Sequence, residues 1–295
     1  MAIIDDNSSS KAGFLNSREV AALLGVNVST IKRWTDSGKL NCIQTAGRHR
    51  KFAQRHISEF LMHQGRSGKQ ANLIPLDSDQ YQYLNLLIQQ RDYDSLIPLV
   101  IDAALKCRHG LVKLVLEGLF YTHGDLAEIY EYLFTPVLHQ IGERWSEGAI
   151  SINEEHLASQ TIRDVITGLM SSTRYGDLKS GRALCLTLSA ELHDIALKMV
   201  QHLLQDQGWE VLFIGQLTAL DRMEEMLLKY QPDRLCLSVT IISDIIEAEA
   251  SLSRISELSR KHNIELLIGG QGIRQLNFGR RLTTVMSGLI GLRAG

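Results

Sequence analysis

Residues 183–200 read ALCLTLSAELHDIALKMV, and this stretch decides how the C-terminal part of the chain folds. The apolar run from Ala183 to Leu188 predicts a buried strand, and the spacing of apolar residues from Ile195 onward predicts an amphipathic helix. His193 lies between them, at the strand-to-helix joint where open α/β sheets bind ligands. Glu191, two residues earlier, can accept a hydrogen bond from one imidazole nitrogen and leave the other as a better metal ligand. The stretch therefore raises the hypothesis that His193 holds a metal.

The alternation of strand and helix continues through the rest of the chain. Apolar segments typical of strands fall at 183–188, 210–214, 235–239 and 265–268, and helical patterns fall at about 194–207, 218–230 and 243–262. Glycines stand at the joints, namely Gly208, Gly215 and Gly269-Gly270. Repeated β-α units of this kind predict a Rossmann-like, doubly wound parallel sheet over residues 180–295, with helices on both faces.

Upstream of the sheet, residues 77–176 show almost only helical periodicity. Breaks in this periodicity fall at Asp92, His109-Gly110, His123-Gly124 and Gly148. They divide the segment into four or five packed helices, and we expect a four-helix bundle. Residues 65–76 have the composition of a linker, and residues 1–12 are polar and predicted to be disordered.

Residues 13–64 show the pattern helix, turn, helix, hairpin, helix. Asn16 and Glu19 form a candidate capping box for the first helix, and Asn27 is a candidate cap for the second, Val28 to Ser37. In the second helix Ile31 and Trp34 are spaced to face the core. That spacing exposes Ser29, Thr30, Lys32 and Arg33. The hairpin is predicted around Ala46-Gly47 and carries the basic run Arg48-His49-Arg50-Lys51; a third helix is predicted from about Gln54 to His63.

The charge is distributed unevenly along the chain. The formal net charge is −2, but residues 1–66 carry ten Lys and Arg against five Asp and Glu. Small hydroxyls and long cations near a helix N-terminus suit insertion into the major groove, and a basic hairpin suits the phosphate backbone. We therefore expect residues 13–64 to bind double-stranded DNA.

Composition and sequence patterns argue against several other classes of protein. The four cysteines lie far apart with no C-x-x-C spacing, so we expect them to be reduced. No apolar run is long enough to span a bilayer and the first residues do not form a signal sequence, so we expect a cytoplasmic protein. Neither a nucleophilic triad nor a hydrolytic metal site is indicated, and we expect the protein not to be an enzyme. The histidines other than His156 and His193 are interpreted as surface or capping residues.

The N-terminal segment resembles the winged-helix DNA-binding domains of the MerR and excisionase families. The resemblance is carried by SREVA at 17–21, TIKRW at 30–34 and GRHR at 47–50. It implies that the second helix reads the operator and that the hairpin forms the wing.

Residues 191–200, ELHDIALKMV, resemble the cobalamin-binding motif of corrinoid-dependent proteins. The resemblance implies that His193 is the lower axial ligand of cobalt and that Glu191 tunes it. It also assigns to the cofactor site Asp194, Ala196, Ser238, Thr240, Gly269 and Gly270, the last four lining the slot for the nucleotide tail. The family usually has glycine at the position of Ala196, where an added methyl would crowd the tail.

A second motif lies in the helical segment, where nine residues separate Trp145 from Glu155-His156. The stretch IGERWSEGAISI at 141–152 resembles the helical cap of cobalamin-dependent photoreceptor repressors. This implies that Trp145 covers the upper cobalt ligand, that Glu155 and His156 line an adenosyl pocket, and that adenosylcobalamin is the cofactor. In light-sensing members a histidine follows the tryptophan directly; here that residue is Ser146, and its hydroxyl is a poor cobalt ligand.

The order of DNA reader, helical cap and cobalamin sheet resembles that of MerR-type transcriptional regulators with a C-terminal cobalamin-binding domain. It implies a repressor that adenosylcobalamin assembles into a homo-oligomer, a dimer or a tetramer, and that light disperses. Two alternatives stay open. One is a cofactor-free regulator in which a degenerate cobalamin domain mediates protein interaction, which Ala196 favours. The other is a corrinoid carrier for methyl transfer, against which the fused DNA reader argues.

Overall fold

The computed structural model describes residues 14–24, 26–45, 47, 49–53, 56–57, 60, 79–173, 180–188, 193–216, 219–276, 284–285 and 288–294. The chain divides into two compact units, Met1–Thr173 and Arg174–Gly295. Within the described ranges, no helix combines the length and the apolar character that crossing a membrane requires. The N-terminal segment 1–12 and the linker 65–76 lie outside these ranges.

The first part of the N-terminal unit contains two short helices and a three-stranded antiparallel sheet. Its elements are β1 (Leu15–Asn16), α1 (Ser17–Leu23), α2 (Val28–Asp36), β2 (Ile43–Gln44) and β3 (Arg50–Phe52), with the strands in the order β1-β3-β2. Buried side chains such as Val20, Ile31 and Phe52 form its core. The predicted hairpin is present as β2 paired with β3. Of the helix predicted at 54–63, His56, Ile57 and Phe60 are described, and they are helical.

The two predicted helix caps have different outcomes. Glu19 N donates to Asn16 Oδ1 at 3.0 Å and Asn16 N donates to Glu19 Oε2 at 2.6 Å, which confirms the capping box. The cap predicted at Asn27 is confirmed in position, since Asn27 is the N-cap residue of α2. Asn27 makes no side-chain cap bond, and its backbone carbonyl accepts from Thr30 N at 2.9 Å. Because Asn27 is exposed, water can hydrogen-bond to the backbone amides that the Asn27 side chain does not cap.

The rest of this unit is helical. It contains α3 (Asp79–Gln90), α4 (Tyr93–Leu105), α5 (His109–His123), α6 (Leu126–Ile129), a π-helical turn (Tyr130–Phe134), α7 (Thr135–Ser146) and α8 (Ile152–Thr173). Helix α8 packs against α4, α5 and α7. In the described part of this segment, five helices have twelve residues or more, one more than the predicted four-helix bundle.

Most of the predicted helix breaks are present. Asp92 caps α4 by accepting from Ser95 N at 3.1 Å, and Gly124 and Gly148 have positive φ values of 71° and 75°. The break predicted at His109-Gly110 is misplaced by a few residues. The turn lies at Lys106–Arg108, and Gly110 is in the first turn of α5, where its missing side chain faces open space.

The C-terminal unit is a parallel sheet with helices between its strands. Its main elements are β4 (Gly181–Thr187), α9 (Ile195–Asp206), β5 (Trp209–Gly215), α10 (Met223–Tyr230), β6 (Arg234–Ser238), α11 (Ile245–Lys261), β7 (Glu265–Gly269) and β8 (Thr284–Val285). Two 3-10 helices, Gln271–Gln275 and Leu289–Ala294, follow β7 and β8. All pairings are parallel, in the order β5-β4-β6-β7-β8, which confirms the doubly wound parallel sheet.

One helix boundary differs clearly from the prediction. The helix expected from residue 218 begins at Met223. Met223 is the first residue of α10 to enter the buried cluster, and Glu224 and Glu225 follow it in the first turn. Carboxylates near a helix N-terminus interact favourably with the helix dipole, so both features favour a start at this point.

The two faces of the sheet carry side chains of different size. Leu184, Leu186, Leu235 and Leu237 belong to an apolar cluster that includes side chains of α10 and α11. Residues on a strand alternate between faces, and α9 packs against β4, β5 and β6. The side chains of β4 and β6 on the α9 side are therefore mostly small, namely Ala183, Cys185, Thr187, Cys236 and Ser238.

Candidate functional site

The carboxyl ends of β4, β6 and β7 bring most of the predicted cofactor residues to one edge of the sheet. His193 follows β4 and is exposed; Ser238 is the buried last residue of β6, and Thr240 lies two residues beyond it. Gly269 ends β7 and Gly270 follows it. Strands β4 and β6 are neighbours, and the helices that follow them, α9 and α11, cover opposite faces. This is a topological switch point, where open α/β sheets bind ligands. Glu191 lies outside the described residues.

The start of α9 positions His193. Asp194 occupies the N-cap position, and its carbonyl accepts from Lys198 N at 2.8 Å. Its side chain is buried, with 2% exposed, and makes no cap bond to the helix. Ala196, the second residue of α9, is half-buried. The imidazole of His193 is thus presented at the surface immediately before a helix whose N-cap residue, Asp194, is buried.

Gly270 has a structural role at the end of β7. Gly270 has φ +111°, and a Cβ at this position would collide with the backbone carbonyl of Val239. Val239 N also donates to Gly269 O at 2.9 Å, and Gly272 N donates to Val239 O at 3.0 Å. The space that Gly270 leaves is therefore filled by the end of β6. Gly270 therefore allows two chain segments to pack closely, and the assignment of the glycine pair to the cofactor slot stays a prediction.

Small, uncharged side chains lie behind His193 between the sheet and α9. Cys185 and Cys236 are register partners on adjacent strands, and both are buried as free cysteines. A hydrogen bond to the neighbouring Cys236 and burial raise the pKa of Cys185, so this thiol stays protonated. Thr187 Oγ1 donates to Gly215 O at 2.9 Å. The accessible imidazole of His193 can bind the metal of a ligand, and the small neutral side chains behind it suit a flat heterocyclic tail. Cobalamin has both a metal and such a tail.

Among the described residues, no three His, Cys, Asp or Glu side chains are grouped closely enough to hold a metal ion.

The second predicted motif lies where α7 meets α8. Trp145 is the penultimate residue of α7 and its side chain is 42% exposed. On α8, Glu155 Oε1 accepts from Ser159 Oγ at 2.6 Å, and His156 Nε2 lies 3.5 Å from Glu155 Oε2. Ile152 and Leu157, on the first turns of α8, are also exposed. The structure thus brings Trp145 and Glu155-His156 to one end of a helix pair with an apolar surface; their position opposite His193 stays a prediction.

Ser146 is the last residue of α7. Its Oγ donates to Glu143 O at 2.8 Å, a bond within its own helix, and the residue is exposed. Beside Trp145 the chain therefore presents a hydroxyl that is bonded to the backbone.

The predicted reading helix exposes three of the four polar residues that were expected on its surface. Ser29, Lys32 and Arg33 are exposed on α2, and Thr30 is half-buried. Ile31 is fully buried, and the ring of Trp34 packs 4.7 Å from that of Phe60.

The basic residues of the hairpin do not share one direction. His49 is exposed, Lys51 is half-buried, and Arg48 lies outside the described residues. Arg50 points inward and forms an ion pair with Asp36, the last residue of α2. Its side chain is 19% exposed, and that of Asp36 is 65% exposed. The prediction that Arg50 contacts DNA phosphates conflicts with this pairing, which turns its guanidinium toward its own domain.

Two histidines were misread from the sequence. His56 and His202 are buried, so their interpretation as surface or capping residues is wrong. Burial lowers the pKa of His202 to about 3, which keeps the imidazole neutral. His202 lies between Met199 and Leu203 on the buried side of α9, and its place in that apolar stripe is the signal that could have identified it.

Comparison with known proteins identifies the domain types. The family model of a helix-turn-helix domain matches residues 14–65, and that of a B12 binding domain matches residues 100–169, in the helical part. The chain thus joins a DNA-binding helix-turn-helix domain to a B12-binding domain. It is 25% identical over 145 residues to the HTH-type transcriptional repressor CarH of Myxococcus xanthus, which covers 49% of this chain and 48% of CarH. The match therefore spans about half the length of that relative.

Corrinoid proteins are also similar. Trimethylamine corrinoid protein 2 of Methanosarcina mazei is 20% identical over 154 residues, covering 51% of this chain and 71% of that protein. The solved structure of the Methanosarcina barkeri monomethylamine corrinoid protein superposes with a TM-score of 0.53 at 12% identity, covering 66% of this chain and 96% of that one. This likeness shows a shared fold.

Proposed function

We propose that this protein is a transcriptional repressor whose binding to operator DNA is controlled by adenosylcobalamin. The observation that carries the proposal is the combination, in one chain, of a helix-turn-helix domain, a helical segment that matches a B12 binding domain, and a parallel sheet that presents His193 at its switch point. In this proposal the protein regulates and does not catalyse. It resembles the MerR type, with the β2–β3 hairpin as its wing.

Each site has assigned residues. His193 would hold the cobalt, with Glu191 as its acidic partner, and the nucleotide tail would lie beside Ser238 and Thr240. Trp145, Glu155 and His156 would enclose the adenosyl group. When bound, adenosylcobalamin would supply a light-labile cobalt–carbon bond. On the DNA side, Ser29, Lys32 and Arg33 would enter the major groove.

Regulation would act through assembly. A single helix-turn-helix domain reads a short half-site, and pairing two domains across a two-fold axis is the usual way to reach operator affinity. We propose that the cofactor-bound protein is a dimer or tetramer that occupies its operator. The exposed apolar side chains around Trp145 would become covered in the bound state.

The decisive experiment is cofactor retention. The full-length protein is incubated in the dark with adenosylcobalamin, desalted, and examined by absorption spectroscopy and by DNA binding with and without cofactor. We expect wild type to keep the corrin colour, His193→Ala to lose it, and the exposed control His139→Ala to keep it. Cofactor-dependent DNA binding would support the regulator.

Two other results would support the alternatives. Colourless protein that still binds DNA would identify a cofactor-free regulator. Coloured protein with no DNA affinity would favour a corrinoid carrier, the function that the names of several similar proteins suggest.

Light control would depend on the residue that follows Trp145. The resemblance to photoreceptor repressors favours it, but Ser146 replaces the histidine that follows the tryptophan in light-sensing members. The test is whether illumination of the cofactor-loaded protein changes its oligomeric state and its DNA affinity. If both stay unchanged, the protein senses the cofactor without sensing light.

A further inference from the structure

The ion pair between Arg50 and Asp36 joins two parts of the DNA-binding domain. Asp36 ends α2, and Arg50 begins β3 in the hairpin. A carboxylate at a helix C-terminus faces the negative end of the helix dipole, which is unfavourable unless a cation lies near it. Arg50 supplies that cation from fourteen residues further along the chain.

The strand pattern explains why Arg50 points inward. Side chains alternate along β3, so Arg50 shares a face with Phe52, which is fully buried. Lys51 lies on the opposite face and pairs in register with Asn16 and Ile43. The Nε of Arg50 is buried and has no hydrogen-bond partner among the described residues, so this nitrogen is shielded from any phosphate.

We propose that Arg50 is a positioning residue, which holds the hairpin against α2 through Asp36 so that Lys51 and His49 meet the DNA backbone. This inference rests on the proposed DNA-binding function and divides the basic run between two roles. Lys51 contributes charge to the interface, and Arg50 fixes the angle between the hairpin and the reading helix.

Substitution of Asp36 tests the inference, because an anchoring role and a simple charge effect predict opposite changes in DNA affinity. If only the net charge near the DNA affected binding, Asp36→Asn would strengthen binding because it removes a negative charge. If Asp36 anchors Arg50, the same substitution frees the hairpin and weakens binding. Arg50→Gln should then have the same effect as Asp36→Asn, and the double variant should be no weaker than either single variant.

The experiment uses full-length protein, with and without adenosylcobalamin in the dark, and a duplex that wild type enriches from a random library. Affinity is measured by fluorescence anisotropy over a range of salt concentrations, with the active fraction fixed by stoichiometric titration. We expect Asp36→Asn and Arg50→Gln each to weaken binding by about two- to fivefold with an unchanged salt slope. Arg50→Lys, which keeps the charge, should recover most of the affinity. Lys51→Gln, on the other face of β3, should reduce the slope of log K against log salt by about 0.9.

Two outcomes would overturn the inference. Tighter or unchanged binding by Asp36→Asn would exclude the anchoring role, and a salt slope reduced by about 0.9 in Arg50→Gln would identify Arg50 as a phosphate contact. If wild type enriches no duplex under either condition, the proposed regulator function fails and this inference fails with it, a result distinct from the first two.

Discussion

His202 should make the stability of the C-terminal unit depend on pH. The residue lies on α9 and is fully buried, and burial lowers its pKa from 6.5 to about 3. The folded chain therefore keeps this imidazole neutral, whereas the unfolded chain takes up a proton once the pH falls below 6.5. Since the unfolded state binds more protons in this window, stability is lost as the pH falls from about 6.5 toward 3.

The size of the effect follows from the two pKa values. Below 6.5 the cost approaches about 1.4 kcal/mol for each pH unit, so acidification from about pH 7 to pH 5 should remove about 2 kcal/mol. This figure depends little on the folded-state pKa, because at pH 5 the folded imidazole remains neutral for any pKa below about 4. A loss of this size is a substantial fraction of the stability of a typical domain.

The position of the tryptophans allows unfolding of the C-terminal unit to be followed separately. The chain has three, Trp34, Trp145 and Trp209, and Trp209 alone belongs to the C-terminal unit, where it is buried. In a Trp34→Phe, Trp145→Phe background, urea unfolding followed by Trp209 fluorescence at about pH 7 and pH 5 gives the free energy of unfolding. His202→Leu should lose about 2 kcal/mol less than the background protein between these pH values.

Carboxylates also titrate in this range, but they do so equally in both proteins. Glu224, whose pKa is lowered by hydrogen bonds from Lys261 and His262, is one example, and its contribution cancels in the comparison. His139→Leu, an exposed position in the other unit, serves as the control and should leave the pH dependence of Trp209 unfolding unchanged. If His202→Leu and the background protein lose the same stability on acidification, the imidazole is not held neutral and the reasoning is refuted.

Three further predictions concern the cofactor site. Gly270→Ala should lower the free energy of unfolding of the C-terminal unit by about 2 kcal/mol or more even without cofactor, because φ is +111° and the new methyl would collide with the Val239 carbonyl. A loss below about 0.5 kcal/mol in the Trp209 unfolding assay would contradict this prediction. Ala196→Gly should bind adenosylcobalamin more tightly, measured by equilibrium dialysis in the dark, and an unchanged or weaker affinity would show that crowding by the methyl does not outweigh its effect on the helix start. Ser146→His, which adds an imidazole beside Trp145, should change the absorption spectrum recorded after illumination relative to wild type; identical spectra would show that this position does not reach the metal.

The sequence predicted the fold wherever one pattern determined one structure. Alternation of apolar strands with amphipathic helices identified the parallel sheet, because a strand buried on both faces is continuously apolar. The Asn16–Glu19 capping box was found because its two reciprocal hydrogen bonds depend on local spacing alone. Helix starts were less certain: α10 begins where Met223 enters the core, and tertiary contacts decide that position.

The sequence was less informative about the direction of side chains. The run Arg48-His49-Arg50-Lys51 looked like a uniform basic surface, although the two-residue period of a strand separates Arg50 from Lys51. Phe52 was the available signal, since a large aromatic residue two positions after Arg50 predicts that both face the core. His202 was misread for a related reason, because histidine was counted as polar and its place in the apolar stripe of α9 was not used.

Ala196 lies both in the first turn of α9 and in the proposed cofactor site. Alanine in place of glycine stabilises a helix by about 1 kcal/mol, so this residue strengthens the first turn of α9, next to His193. The methyl is only half-buried, and the side chains facing α9 from β4 and β6, Cys185 and Cys236 among them, are small. A firmer helix start would orient the histidine, whereas the methyl would crowd the proposed nucleotide tail, and the two effects would act on the affinity in opposite directions. The loss of glycine at this position is therefore weak evidence for a lost cofactor site, since the same substitution would also fix the proposed ligand in place.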